Sequence, residues 1–232
     1  MNTQTVDLPG YESCAGLTLQ GAMMLPEGAQ HLFVMAHGAG AGYDHANMLG
    51  LARALAANNI GTLRFNFPFT QDGRRRVDSR EVATAAIASA VDWVHRAHPK
   101  LDLWVGGHSF GGRMASHCEL EYELPVKGLI FCSFPLHAAN KPNRLRAAHL
   151  GFIDKPMLFL TGTRDALAEP MLVTEVLDEL GDKGTLRWLD SADHSYKTLA
   201  QQRLYAGDVF EEISNHVEQF VQEHSEVAAI AD

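Results

Sequence analysis

Six short apolar runs, each followed by a segment with helical periodicity or a glycine-rich turn, constrain this chain more than any other feature. They lie at residues 32–36, 63–65, 101–105, 128–131, 157–160 and 186–189. Runs of three to five mostly apolar residues are too short for buried helices and suit strands covered on both faces. Between them, Ala83, Ile87, Ala90, Val91 and Val94 fall on one helical stripe, and Leu172, Val173, Val176, Leu177 and Leu180 on another. Pro170 suits the first position of the second helix and Gly181 its end. A last helix starts after Asp208, a capping residue with Glu211 three positions on, and shows Phe210, Ile213, Val217 and Phe220 at helical spacing. Repeated alternation of this kind predicts an α/β fold: a doubly wound, mostly parallel sheet with right-handed crossovers.

At 232 residues the chain reads as a single domain over residues 1–232, with residues 1–15 and the tail after His224 expected to fray. There is no internal repeat or low-complexity linker. Nineteen basic against 28 acidic side chains give a net charge of −9. That sign disfavours nucleic acid or an anionic membrane surface as partner. Cys14, Cys118 and Cys132 are too far apart for a CxxC pair, which fits a reducing compartment. With no apolar run of membrane-spanning length and no leader pattern at Met1, a cytoplasmic location is expected. The oligomeric state is not legible.

On a parallel sheet, ligands bind beyond the carboxyl ends of the strands, so the residues after each run are the candidates for chemistry. The run at 101–105 leads into Gly106-Gly107-His108-Ser109-Phe110-Gly111-Gly112-Arg113. A serine flanked by glycines at both second neighbours, between a strand and a helix, is the setting of a nucleophile elbow. A serine hydroxyl needs a histidine base, and that base needs a carboxylate to orient it. In such sheets the acid and then the histidine follow later strands in chain order. Asp165 follows the run at 157–160, and His194 follows the run at 186–189. His117, His137, His149, His216 and His224 do not meet the same requirement of a loop after a late strand. For the acid, Asp190, Asp193 and Glu169 stand as alternatives to Asp165. An oxyanion hole is expected from the Phe110 backbone N–H and, in the small-residue loop after 32–36, the N–H of Ala39, with Gly40 next in line.

The set His37-Gly38-Ala39-Gly40, Arg64-Phe65-Asn66-Phe67-Pro68-Phe69, the Ser109 elbow, Gly162-Thr163-Arg164-Asp165 and Asp193-His194-Ser195 resembles the α/β-hydrolase superfamily. More narrowly it is similar to the small dienelactone-hydrolase-related proteins, from about residue 15 to residue 222. The resemblance implies a serine-hydrolase fold with Ser109, Asp165 and His194 as triad. It departs from true dienelactone hydrolases in its nucleophile, a serine where they carry a cysteine. The expected activity is cleavage of a small ester or thioester by acyl transfer, with a small-molecule acyl substrate as partner, no cofactor and no metal. A binding protein that keeps the fold without turnover, and an acyltransferase, are the alternatives.

Phe67, Phe69 and Phe134 follow strands and are candidates to line an acyl pocket, with plain core packing as the other reading. Arg74, Arg75 and Arg76 suit either an anionic substrate group or a solvated loop. Only 22 residues, 134–155, occupy the place where a lid is often inserted, which predicts a minimal cap.

Overall fold

The computed structural model describes residues 3–10 and 18–230, with side chains as far as Ser225. Eight strands form one sheet: β1 (Thr3–Pro9), β2 (Thr18–Met24), β3 (His31–Ala36), β4 (Ile60–Phe65), β5 (Asp102–His108), β6 (Gly128–Cys132), β7 (Met157–Gly162) and β8 (Gly184–Leu189). Their spatial order is β1-β2-β4-β3-β5-β6-β7-β8. From β4 to β8 all neighbours run parallel, whereas β2 lies antiparallel to both β1 and β4.

The six parallel strands are the six apolar runs, each extended by one to three residues. The two antiparallel strands carry no such run. In β1 only Val6 and Leu8 are buried, because this edge strand is covered on one face and tolerates Thr3, Thr5 and Asp7 on the other. The expectation of a loose start therefore fails for Thr3–Pro9, which pairs with β2 along all seven residues. Residues 11–15 lie outside those described. Of the tail after His224, the last helix takes in the residues up to Ile230, and residues 231–232 lie outside those described.

The helices are α1 (Ala46–Ala57), α2 (Pro68–Gln71), α3 (Arg80–Ala97), α4 (Phe110–Tyr122), α5 (Pro170–Leu180) and α6 (Val209–Ile230). The period-two alternation of each strand sorts them into two layers. Phe33, Met35, Trp104, Ile130 and Leu158 point to the face covered by Leu51 and Leu55 of α1 and Ile213, Val217 and Phe220 of α6. Val34, Val105, Leu129 and Phe131 point to the opposite face, under Ile87 and Val91 of α3, Met114 and Ala115 of α4 and Val176 of α5. Pro170 is at the first turn of α5 and Gly181 caps it with φ 55°. Asp208 Oδ1 accepts from the Phe210 N–H at 2.8 Å and so caps α6. Residues 134–155 form two short 3₁₀ turns, Leu145–Ala147 and Leu150–Phe152, and no large cap.

Candidate active site

The elbow follows from what surrounds it. β5 passes so close to β3 that a Cβ on Gly107, φ 140°, would sit 2.0 Å from the Ala36 carbonyl oxygen. A Cβ on Gly111, in the first turn of α4, would sit 2.3 Å from the same oxygen. Only glycine fits at either place. Between them Ser109 takes φ 51° and ψ −111°, a conformation strained for a residue with a side chain. The strain is held by the Ser109 N–H donating to the Cys132 carbonyl at 2.9 Å and by α4, whose Arg113 N–H donates to the Ser109 carbonyl at 3.1 Å.

Ser109, His194 and Asp165 meet although 85 and 29 positions separate them in pairs. Ser109 Oγ lies 2.8 Å from His194 Nε2. His194 Nδ1 lies 2.8 Å and 3.0 Å from the two carboxylate oxygens of Asp165. Asp165 is fully shielded from solvent, and its Oδ1 also accepts the Leu167 N–H at 2.8 Å. A buried carboxylate with two donors stays satisfied as an anion and fixes Nδ1–H on the imidazole, leaving Nε2 as acceptor toward the hydroxyl. The other acids are engaged elsewhere: Asp193 Oδ1 accepts the Ser195 and Lys197 N–H groups and shapes the turn that carries His194. Asp190 and Glu169 make no hydrogen bond to the His194 ring among the described residues.

Two further histidines support the site. His108 Nε2 lies 2.8 Å from the His194 carbonyl, with the two rings 5.3 Å apart. Burial pushes its pKa down to about 4, so the neutral ring donates Nε2–H to that carbonyl. His37, fully buried, donates Nδ1–H to the Gly38 carbonyl at 2.8 Å and accepts the Phe67 N–H at Nε2, 3.1 Å away. It too is held at about 4 by burial. The pair of bonds requires a neutral ring and fixes the start of the Gly38–Ala41 loop against the exit of β4. Both histidines flank a sequence motif directly, and that adjacency was their only signal.

A cavity of about 510 Å³ opens beside Ser109 and His194. Its walls are the Gly38–Ala41 loop, Met48 and Leu51 of α1 and Phe210 of α6, with His45 and Lys197 also lining it. Ala39 is exposed there, and Phe110 is the first residue of α4. The expected pocket aromatics do not line this cavity. Phe67, Phe69 and Phe134 are 0%, 2% and 2% exposed. Phe67 and Phe69 pack edge-on beneath the half-buried Phe110 ring, at 5.3 Å and 6.1 Å, and Phe134 packs on Phe131 and Phe159. They are core, because α2 turns this aromatic run inward beneath α4. Arg74 pairs with Asp78 at 2.7 Å and Asp72 at 3.2 Å, while Arg75 and Arg76 are exposed, as in a solvated loop.

Residues 29–222 match the family model described as an alpha/beta hydrolase domain. Among solved structures, a dienelactone hydrolase from Anabaena variabilis superposes with a TM-score of 0.75 at 17% identity, covering 97% of this chain and 99% of that one. A Xanthomonas campestris protein described as an α/β serine hydrolase without lid gives 0.70 at 20% identity, covering 96% and 95%. Est1E from Butyrivibrio proteoclasticus, with ferulic acid bound, gives 0.72 at 15% identity, covering 96% and 99%. At these identities the likeness concerns the fold, and it extends over nearly the whole of each chain. The family match spans all six parallel strands and the loops that carry Ser109, Asp165 and His194, and on it the chain belongs to the alpha/beta hydrolase domain family.

Proposed function

We propose that this chain is a serine hydrolase that cleaves a small ester or thioester through an acyl-enzyme on Ser109. The observation that carries the reading is the continuous relay from Ser109 Oγ through His194 to the buried Asp165, with contacts of 2.8 Å at both ends. His194 Nε2 takes the hydroxyl proton as Oγ attacks the carbonyl carbon, and Asp165 stabilises the imidazolium. The Phe110 and Ala39 N–H groups receive the negative charge on the substrate oxygen. Collapse of the tetrahedral intermediate breaks the bond to the leaving alkoxide or thiolate, which His194 protonates. Water then repeats the sequence and frees the acid. Every step uses groups of this chain, and none requires a cofactor.

A fluorophosphonate probe followed by peptide mass spectrometry tests the reading. Ser109 is the expected site of modification, and Ser109→Ala lowers turnover of a short-chain aryl ester by about 10³ to 10⁶ with the fold intact. An alanine variant with near wild-type turnover would remove the proposal.

A further inference from the structure

One turn along α4 from Ser109, a rise of about 6 Å, stands an arginine that this mechanism does not use. Arg113 is half-buried, its Nε is shielded from solvent without a partner, and no carboxylate pairs with it among the described residues. The Cα–Cβ bond of a helical residue tilts towards the N-terminal end, which here is the Ser109 end.

Other basic side chains gather round it. Arg146, from the 3₁₀ turn Leu145–Ala147, donates through Nη1 to the His137 carbonyl at 3.0 Å and likewise has no carboxylate partner among the described residues. Arg80 is engaged by Glu121 at 3.0 Å. His149 stacks on His117 of α4 with ring centroids 3.7 Å apart. Ser116 Oγ donates to the Arg113 carbonyl, so the 2.7 Å contact between His149 Nε2 and that hydroxyl places the hydrogen on the imidazole. Burial, and the nearby Arg146 and Arg80, lower the Arg113 pKa; burial, His117, Arg113 and Arg80 push His149 down to about 4. In a chain with net charge −9, two neighbouring arginines without a carboxylate partner among the described residues, one of them with a buried, unpartnered guanidinium nitrogen, are a local inversion. Two close arginines without a counter-ion repel each other, and an oxyanion between them removes that cost while satisfying the free donors.

We propose that Arg113 and Arg146 bind a carboxylate or phosphate carried by the substrate, beside Ser109 on its α4 side. This rests on the serine-hydrolase reading and narrows its substrate to an anionic ester or thioester. The uncharged remainder takes the cavity on the α1 and α6 side, so the substrate straddles the nucleophile. Arginine suits this role because its planar fork meets both oxygens of a carboxylate.

The test compares kcat/KM within two matched pairs at constant ionic strength. In the first, para-nitrophenyl hydrogen adipate is set against its methyl ester, which places the charge on the acyl side. In the second, para-butanoyloxybenzoate is set against its methyl ester, which places it on the leaving group. Wild type should favour the anion in at least one pair by about 10-fold or more, and Arg113→Gln and Arg146→Gln should each lower that ratio by about 10- to 100-fold, the range of a charge-assisted hydrogen bond. Arg113→Lys should retain part of the preference. Ratios near one in both pairs overturn the proposal, and that result needs no variant to fold. A preference untouched by both glutamine variants, or abolished instead by Lys197→Met at the cavity rim, overturns it as well. Hydrolysis of the neutral esters alone leaves the serine-hydrolase reading standing and removes only the anion site. Failure on all four esters, with no labelling of Ser109, removes both.

Discussion

Asp165 shows how one residue's chemistry depends on shielding and partners. Its carboxylate touches His194 Nδ1 with both oxygens, accepts the Leu167 N–H through Oδ1 and has no solvent contact, so a change that keeps its volume and one acceptor oxygen for Leu167 falls chiefly on the imidazole. Asp165→Asn offers an amide N–H to Nδ1 and favours the wrong tautomer, which should cost up to about 10⁴ in kcat with little change in KM. Asp193→Asn keeps an amide oxygen to accept the two turn N–H groups and removes only the charge, so it should change both stability and the chemical step little, since that side chain does not reach the ring. Paired measurements of kcat and melting temperature separate the two. If Asp193→Asn carries the large loss in kcat and Asp165→Asn does not, the acid is misassigned.

Elements explain which parts of this architecture were readable in advance. Parallel strands are covered on both faces, so their residues form continuous apolar runs, and the chemistry placed after them inherits that legibility. Ser109, Asp165 and His194 each follow such a strand, and the glycines beside Ser109 are dictated by the approach of β3. The edge strand β1 gave no signal because one covered face produces only two buried side chains, and β2, paired on both sides, opens with exposed Thr18 and Gln20 alternating with buried Leu19 and Gly21. The cavity was illegible for a different reason: Met48, Leu51 and Phe210 come together only through the packing of α1 against α6, some 160 residues apart in the chain. An aromatic run such as Phe67-Pro68-Phe69 has the same pattern whether it faces core or cavity. The segment 134–155, with its two short 3₁₀ turns, offers no large cap to enclose a long acyl chain. Catalytic efficiency on para-nitrophenyl esters should therefore fall as the acyl group grows from about two to four carbons to about ten or more, without activation at a lipid interface. A steady rise with chain length, or a jump at the micelle threshold, would show an acyl surface beyond this cavity.

For the whole molecule, the buried histidines link folding to pH. His37, His108 and His149 each have a folded-state pKa of about 4, against 6.5 when exposed, with burial as the leading cause in each. A depressed histidine pKa means that between these two values the unfolded chain binds protons that the folded chain refuses. Stability is then complete above about pH 6.5 and declines as pH falls towards 4. For His37, which is fully buried, the window corresponds to about 3 kcal/mol, a large share of the 5–15 kcal/mol that typically separates folded from unfolded protein. The other two act in the same direction. The midpoint of urea unfolding should fall steadily from pH 7 to pH 4.5. His37→Gln, which keeps an acceptor for the Phe67 N–H but does not titrate, should be less stable at pH 7 and show a shallower decline. The same protonation would break the bond from Phe67 and free the loop that carries Ala39, so acid should lower turnover before it unfolds the chain. A midpoint independent of pH across this range, or an equal slope in the glutamine variant, would mean that His37 is not held neutral by the fold.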